Sequence, residues 1–109
     1  MTFKPSPHVV YILAPGCLTC IDGGREMLIN ARRLSLNASR EGIQLAHLVV
    51  NQGNSRWEPL SHLLGESGLK PPEGRPVVFY RGAWLLSMPS IELIEQINRE
   101  TEGAKDADA

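Results

Sequence analysis

Apolar and polar positions along the chain change period several times, and each change marks an element. Residues 8–14, His8-Val9-Val10-Tyr11-Ile12-Leu13-Ala14, form a nearly unbroken apolar run, the pattern of a central strand buried on both faces. Pro15-Gly16 breaks it. From about 18 to 38 the apolar residues return at helical spacing. Ile21, Leu28, Ala31 and Ala38 fall near one stripe with Leu34 beside it, while Arg25, Glu26, Arg32, Arg33 and Arg40 lie mostly off it. Gly23-Gly24 in the early turns costs such a helix roughly 1 kcal/mol per glycine relative to alanine, which points to a close neighbour there. Glu41-Gly42 ends the segment and the apolar run 43–50 predicts a second strand. Strand, long helix, strand is a βαβ unit, so the two strands are expected to be parallel with a right-handed crossover.

A loop over 51–55 precedes a shorter helix carrying Trp57, Leu60 and Leu64. Its start is open between a capping box of Ser55 with Glu58 and a start nearer Pro59; Gly65-Glu66-Ser67-Gly68 ends it. The Pro/Gly-rich loop 70–76 feeds a third strand, 77–80. Arg81-Gly82 then predicts a two-residue turn and an antiparallel return over 83–88. Ser90 reads as the N-cap of a last helix with Ile91, Ile94 and Ile97 facing inward and Glu95→Arg99 paired. The organisation is a lead-in over 1–7, one domain over 8–101 and a disordered tail over 102–109, with no internal repeat.

Composition narrows the function classes. The 109 residues suffice for one core without disulfide staples. A formal net charge of −1 gives no argument for nucleic acid or an anionic membrane as partner, and no basic run is interleaved with aromatics. The run at 8–14 ends in a Pro-Gly turn rather than a small-residue cleavage site. No apolar stretch approaches the roughly 20 residues that span a bilayer. A soluble, cytoplasmic protein is expected.

The two cysteines, Cys17 and Cys20, are spaced C-x-x-C directly after the first strand. With a helix starting near 18, Cys17 falls at its first turn, where free N–H groups and the dipole favour a negative sulfur. Cys20 follows about one turn later on the same face. Such a pair can close a small disulfide ring, and the outer thiol can be held partly as thiolate, the reactive form. Two other readings stay open: a pair of small core side chains, or a metal cluster shared by two chains. One chain lacks the second C-x-x-C or C-x-x-H of a structural zinc site, so no metal or other cofactor is expected. Thr19 either donates a hydrogen bond to a sulfur or fills the turn. His47 reads as a packed or edge histidine, His8 and His62 as solvent-facing, Trp57 and Trp84 as core or edge aromatics, and Arg25 as a solvated helix-face residue.

The order β-α-β-α-β-β-α, with C-x-x-C between strand one and helix one and Pro76 opening strand three, resembles the thioredoxin fold in its compact, glutaredoxin-like form. The resemblance covers about residues 8–100 and implies a four-stranded mixed sheet flanked by three helices. It further implies that Cys17 is the exposed attacking cysteine and Cys20 the buried resolving one. Pro76 is then a cis-proline facing the dithiol, with the Arg75 backbone turned to pair with an extended substrate. Gly16, Leu18, Thr19, Arg75 and Pro76 become the substrate-binding residues, and protein thiols or disulfides and an electron donor the partners. The departures are Leu18-Thr19 between the cysteines, no acid in strand one, where Tyr11 falls near that position, and Leu86-Ser87-Met88-Pro89 where a glutathione-holding motif belongs. The sequence reading is a thiol–disulfide oxidoreductase. Its alternative is a catalytically weak thioredoxin-like binding or redox-sensing module.

Overall fold

The computed structural model describes residues 4–107. Strand β1 (Val9–Ala14) occupies the interior of a four-stranded sheet ordered β2-β1-β3-β4, with β2 at Ala46–Asn51, β3 at Val77–Tyr80 and β4 at Ala83–Leu85. β1 runs parallel to β2 and antiparallel to β3, which pairs antiparallel with β4. Helices α1 (Gly24–Arg40), α2 (Trp57–Ser67) and α3 (Ile91–Ala107) complete an α/β domain. The expected element order and mixed sheet are present.

The unbroken apolar run of β1 follows from burial on both sides. Successive side chains of a strand point to opposite faces. Val10, Ile12 and Ala14 join Met27, Ala31, Leu34 and Ala38 of α1 and Ile94 and Ile97 of α3 in one core. Tyr11 and Leu13 face the other way, with Val50, Val77 and Phe79, onto Leu60 of α2. Trp57 and Trp84 pack at the edge of this second core, Trp84 with its ring centroid 4.7 Å from that of Phe79. Both tryptophans are therefore packing residues. His47, half-buried on the edge strand β2, has Nδ1 3.2 Å from Ser35 Oγ, while His8 is exposed and His62 pairs with Glu66 on the surface.

Several boundaries differ from those the sequence predicts. β2 begins at Ala46 rather than 43 because α1 closes in a Schellman motif: Gly42 at φ +75° lets its own N–H reach Ser39 O and the Ile43 N–H reach Ala38 O at 2.8 Å. β4 stops at Leu85. The partners that would continue its ladder are Val77 and Pro76, and a proline has no N–H to give. The Ser55–Glu58 capping box does not form. Instead Asn54 Oδ1 accepts the Arg56 N–H at 2.9 Å, and Pro59 is the third residue of α2, within the first turn whose N–H groups have no intrahelical partner. At α3 the Ser90 hydroxyl accepts the Leu93 N–H at 3.3 Å, as an N-cap does. The helix then continues through Glu102, Ala104 and Lys105, good helix formers, to Ala107. Residues 108–109 of the tail, like 1–3 of the lead-in, lie outside those described.

Arg81 at φ +46° and Gly82 at φ +86° form the β3–β4 turn with both central residues left-handed, the type I′ geometry that matches strand twist. The remaining lead-in is tied down: Ser6 N–H donates to Tyr11 Oη at 2.8 Å and Arg81 Nε to the Pro7 carbonyl at 3.0 Å.

Tyr80 is buried and donates its hydroxyl to Asn98 Oδ1 at 2.6 Å, joining β3 to α3. Burial pushes its ionisation above the usual phenol range, against the opposing pull of Arg81 and the Asn98 hydrogen bond. The folded state therefore holds this proton more tightly than the unfolded chain. The stabilisation is complete below the ordinary tyrosine pKa of about 10 and is lost as pH rises through the higher folded value. Urea unfolding above pH 10 is expected to weaken the wild type more steeply than Tyr80→Phe, with both variants parallel at pH 7–9.

Candidate functional site

β1 delivers the chain to the C-terminal end of this central strand at Ala14, where Pro15-Gly16 breaks it. Cys17 is extended, with φ −63° and ψ 116°, and leads into a single 3₁₀ turn over Leu18–Cys20 closed by Cys20 N–H to Cys17 O at 3.0 Å. The tight turn has about three residues per repeat, so side chains three apart eclipse. Cys17 and Cys20 consequently lie on one side, their Cα atoms 5.1 Å apart, and are joined as a disulfide. Leu18 points the other way: it is 6% exposed and belongs to the core shared by β1, α1 and α3. Cys17, Thr19 and Cys20 are all exposed.

Two expectations change here. The helix does not start at 18. Ile21 is extended, Gly23 takes φ +78°, and α1 begins at Gly24. Cys17 therefore does not sit on the first turn of α1, and the helix dipole is not what polarises its sulfur. The nearest donor is the Thr19 hydroxyl, with Oγ1 3.4 Å from Cys17 Sγ. Nor is Cys20 buried; the inward position of the turn is taken by Leu18. The close neighbour expected at Gly23-Gly24 is real and lies within the same turn. A Cβ on Gly24 would collide with the Leu18 carbonyl oxygen and stand 2.8 Å from its carbon.

Pro76 is buried, but the Arg75–Pro76 bond is trans: among the described residues no peptide bond is cis. The trans form of an X–Pro bond is favoured by roughly 0.5–1 kcal/mol, and a cis bond typically serves a tight turn. The turn here closes earlier, through Arg75 N–H to Pro72 O at 3.2 Å, and Pro76 runs straight into β3. That bond also occupies the N–H expected to pair with a substrate strand.

Arg75 and Pro76 nonetheless face the segment that follows the disulfide. With Asp22, Met27, Leu86 and Met88 they line a groove of about 290 Å³. Leu86 is one of three large apolar side chains left exposed among the described residues. The charges at the groove, Asp22 and Glu26 on one wall and Arg75 on the other, and its thioether and leucine lining are not signalled by any motif. In sequence Leu86 and Met88 read only as residues of the antiparallel return over 83–88, whereas β4 ends at Leu85 and leaves them at the groove. Gly16 is half-buried beside the site, and Arg25 is exposed at the start of α1 without a described partner. Tyr11, in place of a strand-one acid, packs in the α2-side core and accepts from Ser6. Among the described residues no three His, Cys, Asp or Glu side chains converge to hold a metal ion, and no helix is long and apolar enough to cross a membrane.

The arrangement can do dithiol–disulfide chemistry: two sulfurs within bonding reach, open to solvent, with a hydroxyl at one of them. No protein-family model, curated protein or solved structure matches the chain.

The Leu18–Gly24 contact is testable by sign. Alanine normally stabilises a helix relative to glycine by about 0.5–1 kcal/mol. Gly65→Ala, in open space on α2, should do so. Gly24→Ala should instead destabilise by about 1–3 kcal/mol, the range for overpacking, in urea unfolding of the oxidised protein.

Proposed function

We propose that the chain is a thioredoxin-fold thiol–disulfide oxidoreductase acting on protein disulfides. The observation that carries the reading is the solvent-open Cys17–Cys20 disulfide on a turn at the end of β1, with the Thr19 hydroxyl 3.4 Å from the Cys17 sulfur. The sheet order and the placement of α1 and α3 opposite α2 support the fold assignment.

In the reduced protein the Cys17 thiolate attacks one sulfur of a substrate disulfide. An S–S bond forms to Cys17 and the other substrate sulfur leaves as a thiolate. Cys20 thiolate then attacks the Cys17 sulfur, forming the 17–20 bridge and expelling the second substrate thiolate. Two electrons pass to the substrate, and an external dithiol donor returns them. Run in reverse, the same steps oxidise a substrate dithiol. The Thr19 hydroxyl donates to the Cys17 sulfur, which carries the charge as the attacking thiolate of the first step. The groove lined by Arg75, Pro76 and Leu86 is the surface against which the substrate segment lies, with Gly16 at the turn; Leu18 contributes by anchoring that turn. In a reducing cytoplasm the reductive direction is favoured.

A second reading, a binding or redox-sensing module of low catalytic power, is favoured by the trans Arg75–Pro76 bond, the engaged Arg75 N–H and the exposed Cys20. Turnover separates the two, since the module would show no acceleration of insulin reduction over dithiothreitol alone.

Trapping tests the roles. Cys20→Ser is expected to accumulate mixed disulfides with protein substrates and Cys17→Ser to accumulate none; equal trapping by both removes the assignment. The reduced Thr19→Val variant should alkylate at Cys17 about tenfold more slowly at neutral pH, as loss of a hydrogen bond to a charged group implies. Thr19→Ser should stay near wild type.

A further inference from the structure

The side of α1 turned away from the core carries a second feature. Arg25, Ile29, Arg32, Arg33, Leu36 and Arg40 are all exposed. At 3.6 residues per turn these six positions fall within an arc of about 100°, and the stripe is about 22 Å long. Ile29 and Leu36, 42% and 55% exposed, are two of the three large apolar side chains left in solvent among the described residues, and they lie along the stripe's centre. None of the four arginines has a hydrogen bond or ion pair among the described residues, and the only acid in α1 is Glu26, at the stripe's flank. Four arginines against one glutamate leave this helix strongly positive in a chain whose net charge is −1.

We infer that this face of α1 docks an acidic helical segment of a partner protein. Two apolar side chains one heptad apart match the seam of a second helix. Arginines on both sides of that seam offer planar donors to carboxylates that flank it. An anionic bilayer is a poorer fit. An interfacial helix lays a broad apolar face into the lipid, and the broad apolar face of α1, Met27, Ala31, Leu34 and Ala38, is already buried against the sheet. Nucleic acid is also a poorer fit. The stripe's centre would set Ile29 and Leu36 against phosphates, with no aromatic to stack on a base. The surface is independent of the dithiol reading and requires no redox step.

The test is fluorescence anisotropy of the oxidised protein titrated into a labelled synthetic helical peptide of about 20 residues, with two leucines seven apart flanked by glutamates. Saturable binding is expected. It should weaken about tenfold in Arg32→Glu/Arg33→Glu and about fivefold in Leu36→Ser, as for charged and apolar contacts of a small interface. Arg56→Glu/Lys70→Glu, exposed outside α1, should leave it unchanged, with circular dichroism confirming that each variant is folded. Three results would each overturn the inference. One is equal binding of a peptide with both leucines replaced by serine; another is the absence of saturation. The last is tighter binding to a DNA duplex or to phosphatidylcholine–phosphatidylserine vesicles.

Discussion

The contact between the Leu18 carbonyl and the bare Cα of Gly24 is the constraint on which the rest of the site depends. Leu18 must reach the core beside Met27 and Ala31, and it does so only if the chain folds back tightly before α1 begins. Glycine at 24 gives the carbonyl its room, and Gly23 at φ +78° supplies the left-handed residue that swings the chain into the helix. With Leu18 inward, the three-residue repeat of the turn leaves both sulfurs outward. Core packing thus determines which groups the solvent meets.

The same contact shows why part of the site was legible in the sequence and part was not. β1 was readable because burial on both faces leaves no polar position, and the hairpin because Arg81-Gly82 supplies a turn that strand twist demands. Cys17 and Cys20 were readable as a pair because spacing alone brings their sulfurs together. The helix start was not readable. Ile21 and Leu28 keep an apolar rhythm across a break that only the φ of Gly23 reveals. Burial of Cys20 was an expectation taken from a resemblance, and Leu18, the more apolar neighbour, takes the inward place instead.

Pro76 illustrates a different limit. Its position before β3 is written in the chain, but its isomer depends on where the preceding loop closes. The Arg75 N–H bond to Pro72 makes that loop a self-contained turn, and the proline that follows needs no unusual bond. The groove across from Asp22 depends likewise on three segments meeting, 22–30, 72–76 and 86–88. No local pattern records such a meeting.

The sheet is covered unevenly. Two helices lie on one face and a single one on the other, and α2 buries only Leu60 fully, where α1 buries Gly24, Met27, Ala31, Leu34 and Ala38. Cooperative units with few buried apolar groups open at the lowest free energy, and their amides exchange with solvent before the global transition. α2 is therefore the foldon most readily released. Its departure uncovers Tyr11, Leu13 and Phe79 while leaving the Leu18 turn and its sulfurs seated on the opposite layer. The domain can breathe on one side without disturbing its chemistry on the other.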